Sequence, residues 1–211
     1  EISLDHLNLR TEDLIEPQDL VVTFSHAGYA KSQPVSDYQA QRRGGRGKTA
    51  TTTKDEDFIE KLFVAHSHDT LLCFSNRGQV YWLRVFELPQ AGRGSRGKPM
   101  VNLLPLGEGE KITAVLPIKQ YDDTHFVFMA TRDGTVKKTP LSAFSRPRQS
   151  GIIAVDLRDD DRLVGVALTD SQRDIMLFTS AGKVIRFAEE EVRPMGRDST
   201  GVRGAVRWLA S

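Results

Sequence analysis

Cysteine, long apolar runs and a surplus of charge are all scarce in this sequence, and each shortage excludes a class of protein. The one cysteine among 211 residues is Cys73. No disulfide can therefore form within the chain, and its place in the apolar run 71–74 predicts a buried structural thiol. No apolar run approaches the roughly 18 residues that cross a bilayer, and the first ten residues lack the basic and apolar regions of an export signal. We therefore expect a soluble protein of a reducing cytoplasm, with no membrane partner.

The net charge is +1, from 29 Lys and Arg against 28 Asp and Glu, and this average alone would argue against a polyanionic partner. The distribution along the chain is nevertheless uneven. Three blocks carry five or six cations against one acid: 28–54, 77–98 and 132–148. Acids predominate in the blocks between them: 55–70, 99–131 and 149–182. Charge is therefore segregated in register with a repeat, and a folded repeat could bring the basic blocks to one face.

Four short segments share a turn signature in which Ser or Thr stands three residues before Gly. They are 24–28, 74–78, 130–134 and 178–182. The pattern is typical of a type I turn whose glycine takes the left-handed conformation of a bulged hairpin. An apolar run precedes each turn, and a small apolar residue follows each glycine by two positions: Ala30, Val80, Val136 and Val184. These segments predict β-hairpins in which a buried strand turns into a strand that alternates between core and solvent.

The hairpin glycines define a repeat. Gly28, Gly78, Gly134 and Gly182 are 50, 56 and 48 residues apart, which is a spacing typical of propeller-like blades. Segments 112–116 and 163–168 are rich in β-branched residues and predict a strand that closes each unit. With little helix signal, the fold class is all-β, built of blades that must stack to bury their faces. Residues 1–12 are expected to form an arm or linker, and 13–211 about four blade repeats of which the last is incomplete, giving a partial ring in this chain.

Each repeat also carries a glycine-containing basic loop. Its final glycine lies 19 residues after the hairpin glycine for Gly47, Gly97 and Gly201, and 17 residues after it for Gly151. The first loop is the densest, with four cations and three glycines in eight residues: Gln41, Arg42, Arg43, Gly44, Gly45, Arg46, Gly47 and Lys48. Nothing in this stretch can form a core, and we expect exposed loops that meet negative charge.

Cations from the other loops and hairpins complete the candidate contacts with a negatively charged partner. They are Lys31, Arg93, Arg96, Lys98, Lys137, Lys138, Arg146, Arg148, Lys183, Arg186, Arg197 and Arg203. Together with the first loop they would form a belt, here called the basic rim. A rim of this kind suits duplex DNA because phosphates recur every few ångströms along it. Aromatic residues are not interleaved with these cations apart from Tyr38, Tyr81 and Trp82, so contact with the DNA backbone is favoured over base stacking.

Two other motifs could indicate different chemistry. Residues 92–99 come within one residue of a P-loop, but Pro99 stands where the hydroxyl that ligates magnesium should be. His66, His68 and Asp69 could be imagined as metal ligands, but no third ligand cluster accompanies them, and a polar strand end is the better interpretation. The chain has no nucleophile elbow or other local signature of covalent catalysis. We expect no catalytic residue, metal or cofactor in this segment.

The first basic loop resembles the signature box of the C-terminal domain of the DNA gyrase A subunit family, whose usual form has Lys where Arg46 stands. The similarity extends along most of the chain, through 56–59, 101–106, 128–131, 134–139 and 200–204. The resemblance implies a β-pinwheel, a propeller-like disc of usually six blades with exchanged strands. It also implies that duplex DNA bends around the basic rim and that the box is needed for wrapping.

For the parent protein the resemblance implies an ATP-dependent DNA topoisomerase of the bacterial cytoplasm, associated with the nucleoid. Its partners would be the gyrase B subunit, which binds ATP, and a second A subunit, in an A2B2 assembly that introduces negative supercoils. The family's DNA-cleaving tyrosine belongs to the preceding domain, so none of the tyrosines here is expected to be that nucleophile: Tyr29, Tyr38, Tyr81 and Tyr121.

Two alternatives stay open from the sequence. The nearer one is the equivalent domain of topoisomerase IV, which resembles this fold but lacks an intact box. The more distant one is a protein-interaction propeller with no DNA role, which the near-neutral total charge would suit.

Overall fold

The computed structural model of the chain describes residues 11–38, 57–92 and 94–203. Within these ranges the protein contains strands and short 3-10 helices, and no α-helix, which confirms the all-β expectation. The strands are β1 (Asp19–Ser25), β2 (Tyr29–Pro34), β3 (Ile59–His66), β4 (Thr70–Ser75), β5 (Gln79–Arg84), β6 (Lys98–Pro99), β7 (Ile112–Ile118), β8 (Phe126–Thr131), β9 (Thr135–Pro140), β10 (Ile152–Ile153), β11 (Leu163–Thr169), β12 (Asp174–Phe178), β13 (Val184–Ala188) and β14 (Val202–Arg203). The 3-10 helices are Thr11–Leu14, Val35–Asp37, Val85–Glu87, Met100–Asn102, Leu141–Phe144 and Glu189–Glu191.

The strands form four antiparallel sheets, one for each sequence repeat. Their strand orders are β3-β1-β2-β6 in sheet 1, β10-β5-β4-β7 in sheet 2, β11-β8-β9-β14 in sheet 3 and β12-β13 in sheet 4. The chain divides into two compact units, Glu1–Thr70 with Arg84–Leu103, and Leu71–Leu83 with Leu104–Ser211. The strands β7 and β11 confirm the closing segments predicted at 112–116 and 163–168. None of the helices in the part of the chain that the structure describes is long and apolar enough to span a membrane.

The four predicted hairpins are present, and each turns on its repeated glycine. The glycine φ angles are 84° at Gly28, 75° at Gly78, 82° at Gly134 and 74° at Gly182. In every turn the glycine N–H donates to the carbonyl of the Ser or Thr three residues earlier, at 3.0 Å. The side-chain hydroxyl of the same Ser or Thr accepts another hydrogen bond, at 3.1 to 3.3 Å, from the N–H of the residue after the glycine: Tyr29, Gln79, Thr135 and Lys183. The signature is therefore a local hydrogen-bonding requirement of the turn.

The outer strand of each of the first three sheets comes from the following repeat. Lys98 of β6 pairs with Ala30, Ile152 of β10 with Val80, and Val202 of β14 with Val136. These strands are two residues long and each follows the final glycine of a basic loop. The basic loops that end at Gly97, Gly151 and Gly201 are thus the connections through which successive repeats exchange strands.

In the three basic loops that the structure describes, the final glycine lies against the strand with which the following short strand pairs. Gly97, Gly151 and Gly201 have φ angles of 85°, 74° and 101°. A Cβ on Gly201 would lie 2.6 Å from the carbonyl oxygen of Val136, and one on Gly97 would lie 2.2 Å from that of Ala30. Glycine is required here both by the left-handed backbone and by the close approach of two chains.

Apolar side chains from both faces of the sheets form the cores. In the second unit one cluster includes Leu72, Phe74, Val127, Phe144 and others around sheets 2 and 3, and a smaller one gathers Phe128, Val136 and Val192. Cys73 is fully buried, as its apolar run predicts, and burial raises the pKa of its thiol to about 12. A thiol with that pKa is neutral and unreactive at neutral pH.

Two of the predicted core positions that the structure describes are exposed, of which one is Met176, at 52%, in the apolar run before the fourth turn. Ala30, Val80 and Val136 are buried, whereas the equivalent Val184 is 51% exposed. The first three lie opposite an exchanged strand, but sheet 4 consists of β12 and β13 alone among the described residues. The prediction failed for Val184 because burial at this position depends on a strand contributed by another repeat.

We expect Gly201→Ala to destabilise the protein by roughly 1–3 kcal/mol, because alanine would be strained at a φ of 101° and would press on the Val136 carbonyl. Gly165→Ala is the control, since its Cβ would meet no atom within 4 Å. Urea unfolding of the two variants measures the difference. Equal unfolding midpoints would contradict this role for the loop glycine.

Candidate nucleic-acid interface

The second basic loop, Gly92–Lys98, arches over β2 and is fixed to that strand at both ends. At its start the N–H of Ala91 donates to the carbonyl of Ser32 at 3.1 Å. At its end Lys98 pairs with Ala30 in the sheet. Between these points the Ser95 N–H donates to the Gly92 carbonyl at 3.1 Å, which closes a turn. The residue left beneath the arch is Lys31.

The fourth basic loop, Gly196–Arg203, repeats this construction over β9. The N–H of Met195 donates to the carbonyl of Lys138 at 2.7 Å, and Val202 pairs with Val136. The Ser199 N–H donates to the Gly196 carbonyl at 3.3 Å, closing the same turn as in the second loop. Here the residue beneath the arch is Lys137.

Both of these lysines are buried, and their ammonium groups are bound by the loops above them. Lys31 is 2% exposed, and its Nζ donates to the carbonyls of Gly92 at 3.0 Å and Ser95 at 2.9 Å. Lys137 is 1% exposed, and its Nζ donates to the carbonyls of Ala154 at 2.7 Å and Ser199 at 2.9 Å and to that of Arg197. Carbonyl oxygens replace the water that an ammonium group needs.

Burial lowers the pKa of both lysines. Desolvation alone is the cause for Lys31. For Lys137 desolvation lowers the pKa to about 8, with Asp198 and more weakly Asp156 opposing the shift and Arg197 reinforcing it. The carbonyls therefore compensate only in part for the loss of water around the charge.

Lys138 is buried too, but on the other side of the strand from the loop. Its Nζ donates to the hydroxyl of Ser171 at 3.2 Å and to the carbonyl of Glu189 at 3.3 Å, and it lies 4.0 Å from the Glu189 carboxylate. It also sits 4.9 Å from the centre of the Phe126 ring. Glu189 is itself fully buried and accepts a hydrogen bond of 2.5 Å from the hydroxyl of Thr169.

These positions correct one part of the sequence analysis. Lys31, Lys137 and Lys138 were expected on the exposed basic rim, and the structure buries all three. The physical reason is that each ammonium finds carbonyl or carboxylate oxygens within the fold, so that exposure to water is not needed to solvate it. Direct contact of these groups with a phosphate would require the loops or strands above them to open.

Other predicted contact residues are accessible. The exposed ones among the described residues are Lys98, Arg146, Arg148, Lys183, Arg186 and Arg203. Arg186 is paired with the carboxylate of Asp174. Arg96 and Arg197 are partly buried: the Arg96 guanidinium stacks 4.3 Å from the centre of the Tyr29 ring and lies 3.6 Å from the Asp57 carboxylate.

The third basic loop, Arg146–Gly151, lies over an aromatic residue instead of a lysine. Tyr81 occupies the place that Lys31 and Lys137 hold in their repeats, and a Cβ on Gly151 would lie 2.6 Å from its ring. The Tyr81 hydroxyl donates to the carboxylate of Glu110 at 3.0 Å. Burial, followed by this hydrogen bond and the nearby charge, raises the pKa of Tyr81 to about 12.

The densest part of the predicted interface lies outside the described residues. This applies to the whole first loop, Gln41, Arg42, Arg43, Gly44, Gly45, Arg46, Gly47 and Lys48, and to Arg93 of the second loop. Their assignment as DNA contacts stays a prediction.

The histidine motif occupies a turn between β3 and β4. The Asp69 carboxylate accepts a hydrogen bond of 2.9 Å from the His66 N–H, and the His68 ring lies 2.9 Å from the carbonyl of Ile15. Across the three described ranges, no group of three or more His, Cys, Asp or Glu side chains could hold a metal ion.

Sequence reasoning missed the shared frame of the second and fourth loops. Both read Gly-Arg-x-Ser-x-Gly, at 92–97 and 196–201, whereas the third loop does not. The serine carbonyl of this frame accepts from the buried lysine in both cases. The co-occurrence of this frame with a lysine three residues after the hairpin glycine of the preceding repeat was a readable signal.

Comparison with known protein families divides the chain into four segments, one for each hairpin repeat. A family model described as DNA gyrase C-terminal domain, beta-propeller, matches residues 19–66, 69–119, 125–170 and 173–206. Each matched segment begins at or just before the first strand of a hairpin, so that each corresponds to one repeat.

Curated relatives match nearly the whole chain. It is 60% identical over 204 residues to the A subunit of DNA gyrase from Haemophilus influenzae, and 54% identical over 204 residues to that from Escherichia coli. In both cases the match covers 97% of this chain and 23% of the relative. The chain therefore spans about a quarter of the length of these relatives.

Two solved structures share the fold. The C-terminal domain of DNA topoisomerase IV superposes with a TM-score of 0.75 at 29% identity, covering 90% of this chain and 58% of that one. The DNA gyrase A C-terminal domain superposes with a TM-score of 0.69 at 23% identity, covering 89% of this chain and 60% of that one. At 23% identity the second likeness bears on the fold alone.

The buried ammonium of Lys137 should leave a signature in the pH dependence of stability. Its folded pKa of about 8 lies below the ordinary 10.5, so between those values the unfolded chain binds more protons, and the free energy of unfolding rises with pH. We expect the stability of the wild type relative to Lys137→Met to increase across this window. Urea unfolding at several pH values measures it, and Lys183→Met, which removes an exposed lysine, is the control for the loss of one lysine side chain. A constant difference for Lys137→Met would contradict the lowered pKa.

Proposed function

The chain belongs to the family of DNA gyrase C-terminal domains, whose beta-propeller model it matches over all four repeats, and from this premise we propose that it binds duplex DNA along its basic loops and wraps it. The observation that carries the proposal is the construction of the described basic loops. Exposed cations are presented on connections whose ends are fixed by strand pairing. A phosphate-binding surface held in this way loses little conformational freedom when DNA binds.

Within the second unit, consecutive basic loops are neighbours. The strand β10, which follows the third loop, contacts the fourth loop through the Arg197 guanidinium, which lies 3.4 Å from the Ile153 carbonyl. Just beyond β10, the Asp156 N–H donates to the carbonyl of Ser199 at 3.2 Å. Such proximity supports a track on which one DNA segment meets several loops.

Wrapping requires many contacts because DNA resists bending. A bend of roughly 40 to 90° over 20 to 30 base pairs costs on the order of 1–6 kcal/mol, which several phosphate contacts must offset. Arginine forks such as those of Arg146 and Arg148 bind phosphate oxygens without reading bases. Binding is therefore expected to be nearly independent of sequence.

In the longer protein, the wrap would present DNA in one handedness to the strand-passage core. We propose that this lets an assembly of two A subunits and two gyrase B subunits introduce negative supercoils in the bacterial nucleoid with ATP bound on the B subunit. The chain described here would contribute DNA binding and no catalytic group or cofactor.

The topoisomerase IV domain is the second candidate, because its structure superposes with a TM-score of 0.75. Its identity to this chain is 29%, against 54 to 61% for several gyrase A subunits, including that of Aeromonas salmonicida. The sequence box at 41–48, which resembles the gyrase form, also favours gyrase.

Binding to a non-specific duplex should depend steeply on salt. If about six phosphates are neutralised, the logarithm of the association constant should fall with the logarithm of salt concentration at a slope of about −5. Gel shifts or fluorescence anisotropy over a salt series would measure this. A slope near zero, or no binding at low salt, would overturn the proposal and favour a protein-interaction role.

Replacing Arg42, Arg43 and Arg46 by Ala should remove the DNA bend while leaving the fold intact. Fluorescence transfer between the ends of a short duplex would report the bend, and in the holoenzyme the change should abolish supercoiling but spare relaxation. The matched control removes three exposed cations from the acidic blocks, Lys111, Lys119 and Arg158, and should keep the bend. A bend that survives the first set of changes refutes the role of the box.

A further inference from the structure

We propose that Lys31 and Lys137 are positioning residues of the DNA-binding surface: each buried ammonium group clasps the carbonyls of the basic loop above it and sets the shape in which that loop meets DNA. The effect on DNA binding rests on the proposed function. The clasp itself rests on geometry alone.

The chemistry of the site matches an ammonium group. A lysine Nζ has three hydrogen atoms to donate and no acceptor, and three carbonyls converge on that of Lys137: Ala154, Arg197 and Ser199. Two of these belong to the fourth loop and one to the strand segment after the third loop. One side chain thus joins the connections of two consecutive repeats.

The second loop is held by the same device in a separate unit of the chain. Lys31 donates to the carbonyls of Gly92 and Ser95, and the latter is the repeat equivalent of the Ser199 carbonyl. In both loops the serine side chain also braces the turn. The Gly97 N–H donates to Ser95 Oγ at 3.2 Å, and Ser199 Oγ donates to the Gly196 carbonyl at 2.9 Å.

A buried lysine at this position has a free-energy cost. Burying its charge lowers the pKa of Lys137, and an apolar side chain of similar volume would avoid that cost. The second repeat has Tyr81 at this position instead of a lysine, and the loop that covers it lacks the Gly-Arg-x-Ser-x-Gly frame. Stability of the sheets alone therefore gives no reason for the lysines, whereas a requirement on loop shape does.

The consequence is that loop geometry and cation presentation are coupled. The side chains of Lys98 and Arg203 project from the ends of the two clasped loops and are exposed. Without the clasp, each loop would have to be ordered again when DNA binds, and affinity would fall although every exposed cation is still present.

The test uses the 211-residue chain with Lys137→Met and Lys31→Met made separately. Methionine keeps the length and packing of the side chain and removes its donors. In Lys137→Met, amide hydrogen exchange should speed up by roughly tenfold in residues 197–203 and stay unchanged in 94–98, and Lys31→Met should give the reverse pattern. General destabilisation would instead speed exchange in both loops, and that result, or unchanged exchange in the clasped loop, would overturn the inference.

Two further measurements complete the test. Side-chain ammonium signals of Lys31 and Lys137 in nitrogen-15 NMR should be protected from solvent exchange in the wild type, and each should disappear only in its own variant. Tyr81→Phe, which removes a buried hydroxyl that bonds to Glu110 rather than to a loop, should leave exchange in both loops unchanged. If Lys137→Met does not fold, Lys31→Met carries the same comparison in the other unit.

Binding of a non-specific duplex then separates this inference from the proposed function. Each methionine variant should raise Kd by roughly three- to tenfold, the cost of ordering about one loop side chain again. Wild-type affinity in both variants would overturn the positioning role. A wild-type chain that binds no duplex would overturn the proposed function and the DNA part of this inference, while the exchange pattern would still decide the clasp.

Discussion

The pairing of a two-residue strand with the sheet of the preceding repeat is the constraint on which the rest of this structure depends. Each sheet from the first to the third lacks an outer strand until the next repeat supplies it. The chain must therefore cross from one sheet to another, and the crossing segment is the basic loop. This geometry requires glycine at the end of the loop, because the loop backbone and the backbone of the receiving strand meet there at van der Waals contact. It also fixes the start of the loop on the same strand. The proposed DNA contacts thus lie on connections whose ends are fixed by the fold.

Several of the buried charged side chains lie where the repeats are joined. Lys31, Lys137 and the Lys138–Glu189 pair all lie on or beside strands that receive an exchanged partner. Polar groups that are buried between repeats contribute less to stability than apolar groups of the same size. They can be buried there only when the neighbouring repeat supplies hydrogen-bonding or oppositely charged partners. An apolar contact would tolerate several alignments of neighbouring repeats, whereas an ammonium group needs its carbonyls at fixed positions. This difference accounts for ammonium groups at the places where one repeat crosses to the next, even though an apolar cluster also packs between sheets 2 and 3.

Local features were predictable from the sequence, and contacts between repeats were not. The hairpins at Gly28 and Gly134 follow from a turn that needs a left-handed residue and a hydroxyl three positions earlier, both of which lie within five residues. Strands β6 and β14 are too short to give any periodic signal, and their partners lie more than sixty residues away. The burial of Lys137 depends on carbonyls at Ser199, and the exposure of Val184 on a strand that sheet 4 does not receive from the described residues. Both errors arose because the environment of a side chain was set by another repeat.

The exchanged strands also impose an order on synthesis by the ribosome. Sheet 1 has its three long strands once residue 66 has emerged, but its outer strand is β6, at Lys98–Pro99. The edge of β2 must therefore wait for 33 further residues, 67–99, which take roughly 2 to 7 s to translate at about 5–20 residues per second. During that interval an unpaired edge is exposed to other nascent chains. Each repeat thus supplies the last strand of the sheet that was translated before it. Completion of each sheet therefore lags behind translation by half a repeat or more.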